Sequence, residues 1–166
     1  MDEILELAFK MAKPFEGLIL KPYFDPAGYP TQGFGRLLSR QVWGPIGRRP
    51  ENATEKKIAY EWLYEKYPTI NLHTAEIWLK EDMTTAARAA IRLCPGAENN
   101  RQLAAITDFT YNCGAGNLQI SLLRVKVNRR DREGAANEFG KWVYARGVKL
   151  PGLVRRRNAE RELFLS

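Results

Sequence analysis

Residues 16–36 read EGLILKPYFDPAGYPTQGFGR, and this stretch decides the fold. Its last sixteen residues interleave three prolines and three glycines with aromatic side chains, a composition that suits short strands joined by tight turns. Asp25-Pro26-Ala27-Gly28 has the Asp, Pro and Gly placement of a type I turn. The segment therefore predicts a short antiparallel β-hairpin or three-stranded sheet. On both sides of it the sequence turns helical.

Upstream, Ile4, Leu5, Ala8, Phe9 and Ala12 recur at helical spacing and predict an amphipathic first helix, capped by Asp2 and stopped at Gly17. Downstream, Gly44, Pro45, Gly47 and Pro50 mark residues 39–53 as a surface loop. Ala59, Trp62, Leu63 and Tyr67 predict a helix from about Thr54 that Pro68 ends. Asn71 is placed to cap a long helix with the stripe Ala75, Trp78, Leu79, Met83, Ala86, Ala87, Ala90 and Ile91, closing at Cys94-Pro95-Gly96. Leu103, Ile106, Phe109 and Cys113 mark another helix, stopped by Gly114, and further helices are predicted over 118–127, 131–143 and 153–164. The class is α+β and mainly helical.

At 166 residues, 45% apolar and 27% charged, the chain is long enough to bury its own core and is neither disordered nor fibrous. The N-terminal stretch carries Asp2, Glu3, Glu6, Lys10, Lys13 and Glu16, so it lacks the uncharged apolar run of a signal peptide or a spanning helix. No stable membrane insertion is expected. Two cysteines and one histidine, His73, are too few for a disulfide scaffold or a His-rich metal centre, so neither metal nor other cofactor is expected. The net charge of +7 lies entirely in residues 101–166, an asymmetry that points to an anionic partner.

No G-x-S-x-G elbow, P-loop or G-x-G-x-x-G occurs, which removes most support for nucleophilic or phosphate-binding chemistry. Carboxylates are the better lead. Glu16 ends an apolar helix beside Phe15 and Gly17, where partial burial favours the protonated acid. Asp25 lies in a polar turn, where the carboxylate stays ionised. Two carboxylates held in opposite protonation states are what glycoside hydrolysis requires. With nineteen acidic residues in the chain, such a pair also arises by chance.

Glu16, eight residues, Asp25, five residues, Thr31 resembles the catalytic Glu-x8-Asp-x5-Thr signature of phage-type lysozymes, glycoside hydrolase family 24, the endolysins of tailed bacteriophages. Gly17, Leu20, Tyr23, Gly28, Gly33 and Gly35 fill the surrounding pattern. TINLHTAEIWLKEDM resembles the opening of the family's long inter-lobe helix, and FTYNCGAGNLQISLLR its Tyr-Asn-x-Gly segment. Trp142, Gly152, Leu153, Arg156, Arg157 and Glu160 match its C-terminal pattern. The likeness covers roughly residues 3–38 and 70–165. Two departures stand out. Arg36 replaces the family's usual His, and residues 38–69 exceed its short connection, bringing in Trp43, Trp62 and Tyr64 either to stack on sugars or to pack the insertion on its own lobe.

The resemblance implies a single lysozyme domain over residues 1–166. It comprises a β-containing lobe at 15–70 with the insertion at 38–69, and a helical lobe at 71–166 onto which the first helix, 2–15, packs. It implies an endolysin, or muramidase, hydrolysing the β-1,4 bond between N-acetylmuramic acid and N-acetylglucosamine in peptidoglycan, with inversion. Glu16 is then the acid, and Asp25 with Thr31 the water-activating pair, at a carboxyl separation of roughly 6.5–9.5 Å. Leu37, Tyr111, Ser121 and Asn137 match positions lining the family's sugar site; core packing for Tyr111 and helix capping for Ser121 and Asn137 are the competing readings. A monomer is expected to accumulate in the host bacterial cytoplasm and to depend on a holin for access to the wall. The alternatives are a lytic transglycosylase, which needs a single acid, and a non-catalytic nucleic-acid-binding module built on the basic C-terminal half. The second lacks any helix-turn-helix, RNP or zinc-finger signature, so no nucleic-acid partner is expected.

Overall fold

The computed structural model describes residues 1–145 and 147–166. Its first helix, α1 (Asp2–Ala12), ends just ahead of Pro14, which has no N–H to extend the ladder. Gly17 is therefore not its stop. Asp2 does not cap it either: the N-cap is Met1, without a side-chain bond, and Asp2 and Glu3 make an acidic first turn that suits the positive end of the helix.

A three-stranded antiparallel sheet follows, in the order β1 (Ile19–Phe24), β2 (Pro30–Gly33) and β3 (Arg36–Leu37). The β1–β2 register shifts between Ile19 and Tyr23. Pro22 has no N–H to offer there, and the buried Gln32 side chain substitutes for part of the ladder. Its Nε2 donates to the carbonyls of Leu20 (2.7 Å) and Pro68 (2.8 Å). Tyr23 pairs with Thr31, and Thr31 with Leu37, so these three side chains share one face of the sheet while Phe24 takes the other.

Phe24 anchors a small core made by the insertion. A turn of 3-10 helix (Gly44–Ile46) leads to α2 (Ala53–Lys66), whose N-cap Asn52 accepts from the Glu55 N–H at 2.9 Å. The Phe24 ring lies 4.5 Å from Trp43 and 5.3 Å from Tyr60, over fully buried Ala59 and Leu63. Trp62 presses on Gly44 so closely that a methyl group there would stand 2.4 Å from the indole. Trp43 and Trp62 thus pack the insertion onto its own lobe. Tyr64 stays exposed, tilted against Tyr60 at 5.8 Å.

Asn71 caps α3 (Leu72–Leu93), its Oδ1 accepting from the Thr74 N–H at 2.8 Å. The chain divides into two compact units, residues 16–79 and residues 1–15 together with 80–166. The division falls inside α3 and not ahead of it near residue 70. The first unit holds the sheet and the insertion; the second holds α1 and the remaining helices.

In the helical unit come α4 (Asn100–Cys113), α5 (Ala115–Ile120), α6 (Leu122–Asn128) and α7 (Arg132–Phe139). The ribbon β4 (Tyr144–Ala145) with β5 (Val148–Lys149) and α8 (Pro151–Leu165) complete it. The helix predicted over 118–127 is two helices because Ser121 is extended (ψ 150°) and caps α6, accepting from the Arg124 N–H at 3.1 Å. The helix predicted to reach 143 ends at Phe139, ahead of Gly140. Helix α4 is the centre of the unit, buried over residues 104–110, with α1 and α8 packed against it. Phe109 meets Phe139 and Trp142 edge-on at 5.8 and 5.2 Å.

Beside α4 lies a buried cluster of ionisable side chains. Arg156 grips Asp108 through two hydrogen bonds of 2.9 and 2.7 Å, while Arg157 donates to Glu160 (2.6 Å), Asn112 (3.0 Å) and the Cys113 sulfur (2.9 Å). Burial lifts the Glu160 carboxyl well above its ordinary range, opposed by Arg157 and reinforced by the Asp108 carboxylate. Folded Glu160 therefore keeps its proton at pH values where the unfolded chain has released it. That contribution is complete below the unfolded value near 4.5 and is lost as pH rises through the folded one. Glu160→Gln, neutral at every pH, is expected to gain stability relative to the parent chain as pH rises above about 4.5. Urea titrations across that window check this, and a difference that stays constant with pH contradicts it.

Candidate active site

Asp25 directly follows β1 and heads the turn into β2. The Gly28 N–H donates to the Asp25 carbonyl (2.8 Å) and the Asp25 N–H to the Tyr29 carbonyl (3.0 Å). The carboxylate is fixed by the same turn: Oδ1 accepts from the N–H groups of Ala27 and Tyr29, each at 2.9 Å. Oδ2 lies outside both bonds. Thr31 is buried at the start of β2, and its hydroxyl donates to the Tyr29 carbonyl at 3.0 Å. Its proton is thereby committed, and its lone pairs remain to accept.

Glu16 is half-buried in the bend between α1 and β1. Burial first, and then the negative charges of Asp25 and Glu16, hold the Tyr23 phenol above its ordinary range, so both carboxylates lie within electrostatic reach of one hydroxyl. Tyr23 also precedes Asp25 by two residues and faces Thr31 across the ladder. Tyr23 thus lies within electrostatic reach of Glu16 and Asp25 and opposite Thr31, with exposed Leu37 at the end of the same row. Tyr23 was not among the residues picked out from the sequence as a site residue. Its two-residue spacing from Asp25 was the available signal.

The other three sequence-predicted contacts lie in the helical unit. Tyr111 is half-buried on α4, its ring 5.9 Å from the Arg156 guanidinium. Ser121 is buried, with its hydroxyl donating to the Leu118 carbonyl at 2.7 Å while capping α6. Asn137 is exposed on α7, a helix capped by Asp131. Arg36 lays its guanidinium over Trp78 at 5.1 Å, a contact that keeps a fixed positive charge near the sheet.

The insertion braces the Asp25 turn from the Phe24 side. The Trp43 N–H donates to the Gly28 carbonyl at 2.8 Å, and the indole lies flush against Gly28. Gly28 has φ +89°, and a methyl group there would stand 2.4 Å from Trp43 Nε1. Among the described residues no group of three or more His, Cys, Asp or Glu side chains is placed to hold a metal ion. Burial pushes the Cys94 thiol up to about 11 and raises the Cys113 thiol against the pull of Arg157, so neither is an activated nucleophile.

The phage lysozyme family model matches residues 13–160. The chain belongs to the phage lysozyme family. It is 31% identical over 170 residues to the endolysin of Acyrthosiphon pisum secondary endosymbiont phage 1, covering 98% of each chain. It is also 37% identical over 87 residues to the SAR-endolysin of bacteriophage PS34, and that match spans about half the length of either protein, 52%. The muramidase domain of SpmX from Asticaccaulis excentricus has the same fold, with a TM-score of 0.73 and 23% identity over 96% of this chain and 95% of that one. Phage lysozyme family membership and this shared fold agree with a mainly helical chain carrying a small antiparallel sheet.

Brace and turn can be separated by two alanine substitutions. Gly28→Ala combines a left-handed backbone with a clash against Trp43 and is expected to cost about 2 kcal/mol or more. Gly35→Ala, at φ +86° with nothing within 4 Å, is expected to cost only about 1 kcal/mol. Denaturant unfolding of both variants checks the difference, and equal costs remove the brace.

Proposed function

We propose that the chain is a muramidase endolysin that cleaves the β-1,4 bond between N-acetylmuramic acid and N-acetylglucosamine and so lyses bacterial cells. The observation that supports this reading is that, in a member of the phage lysozyme family, Tyr23 faces Thr31 across the ladder and lies within electrostatic reach of Glu16 and Asp25. Glu16 protonates the glycosidic oxygen. Asp25, anchored through Oδ1, takes a proton from water at Oδ2, and Thr31 Oγ accepts from the same water and orients it. Attack from the opposite face of the sugar inverts the anomeric carbon, the outcome assigned to glycoside hydrolase family 24. No metal or other cofactor enters this scheme.

Leu37, beside Thr31 on the sheet face, is assigned to sugar contact, with Tyr111 and Asn137 as further contacts. Ser121 joins them through family likeness, its hydroxyl already serving the α6 cap. The cationic surplus of residues 101–166 suits long-range attraction to anionic cell walls, and a monomer suffices for all of these roles. For delivery we propose a holin lesion in the host membrane. This route is taken from the family likeness, and self-delivery is the alternative that the SAR-endolysin relatives raise.

Glu16→Gln removes the transferable proton while keeping the shape and is expected to lower clearing of purified peptidoglycan by about 10²–10⁴-fold with an unchanged melting temperature. Mass spectrometry of the digest identifies the reaction: reducing muramic ends support hydrolysis, whereas anhydromuramic ends mean a transglycosylase. Expression in intact bacteria is expected to leave them turbid until a permeabiliser is added. Lysis without one replaces the holin route with self-delivery.

A further inference from the structure

The insertion does more than brace the turn. Between the Asp25 turn and α2 it encloses an open cavity of about 760 Å³, walled by Phe24, Asp25, Trp43, Pro50, Arg49 and Lys56. That volume accommodates a sugar substituent or a short peptide. Its charge is uneven. Arg48, next in sequence, is tied down by two hydrogen bonds to Glu55 (3.1 and 2.9 Å) and an ion pair with Glu51 (3.2 Å). Both nearby acids are thereby engaged. Arg49 and Lys56 form no ion pair among the described residues, and both line the cavity. Two cations outside any ion pair therefore share the cavity lining with one carboxylate, Asp25, whose Oδ1 is already held by two backbone N–H groups.

We propose that this cavity is a subsite for the carboxylate-bearing peptide stem of the peptidoglycan strand, with Arg49 and Lys56 binding the stem carboxylates and Trp43 providing its apolar wall. The inference rests on the muramidase reading, because it is a sugar positioned at Asp25 whose stem would reach the cavity. It deepens that reading by naming which part of the polymer the insertion selects. A neutral sugar would leave both cations unused, and a stem carboxylate gains charge-assisted hydrogen bonds from each. The Asp25 carboxylate repels the stem from the turn itself and sets the anionic end towards Arg49 and Lys56.

Two substrates test this: glycan strands carrying tetrapeptide stems, and the same strands stripped of stems by an amidase. The double variant Arg49→Ala/Lys56→Ala is expected to raise KM for stemmed strands by about tenfold with kcat unchanged. On stripped strands it should match the parent enzyme. Equal losses on both substrates, or none on either, overturn the subsite. A parent enzyme that cleaves neither strand refutes the muramidase reading instead. In that event a binding measurement still decides the subsite: titration of the free tetrapeptide is expected to shift the Trp43 indole resonance of the parent protein but not of the double variant. No shift in the parent overturns the proposal.

Discussion

Asp25 Oδ1 accepts two backbone hydrogen bonds, from Ala27 and Tyr29, and the β-containing unit is arranged around them. They convert a flexible carboxylate into a fixed one and, in the same step, bend the chain so that β2 returns along β1. The returning strand places Thr31 opposite Tyr23, and the next turn places Leu37 beside Thr31. One side chain therefore shapes the loop and sets the register while its other oxygen stays outside both bonds. A carboxylate is well suited to this because it has more lone pairs than the turn consumes.

The alternation of β1 divides the labour further. Tyr23 takes the face with Thr31 and Leu37, while Phe24 enters the aromatic core of Trp43 and Tyr60. A shift of one residue would exchange these roles completely. The Gln32 side chain, bonded to the Leu20 and Pro68 carbonyls, resists such a shift at the irregular point where Pro22 leaves the ladder incomplete. In the helical unit the organising element is different. There, α4 is buried over residues 104–110 and is joined to α8 by Asp108–Arg156, a buried pair in which each partner depends on the other.

Much of this was legible in the sequence. The Asp-Pro-x-Gly turn, the Asn71 cap, the long stripe of α3 and the helices at 53–66 and 100–113 all follow from local chemistry that the fold does not override. The spacing of Glu16, Asp25 and Thr31 pointed to the family. What escaped depends on partners distant in the chain. Trp43 braces Gly28 because the insertion folds back on β1, which no local pattern announces. Ser121 breaks one predicted helix into two by exchanging an interior position for a cap. Tyr23 becomes conspicuous only when Glu16 and Asp25 are seen to act on one phenol. Pro14 was readable as the end of α1, and Gly17 drew the reading away from it.

The state of the two sulfurs has a consequence for where the chain can work. A thiol pushed up to about 11 holds on the order of one thiolate in 10⁴ at neutral pH, and Cys94 is almost fully buried as well. Both cysteines are free, and the fold is stapled by packing and by the α8 guanidiniums instead of by a covalent bridge. Nothing in this architecture waits for an oxidant to close a bridge. A reductant therefore finds no cross-link in this fold to break.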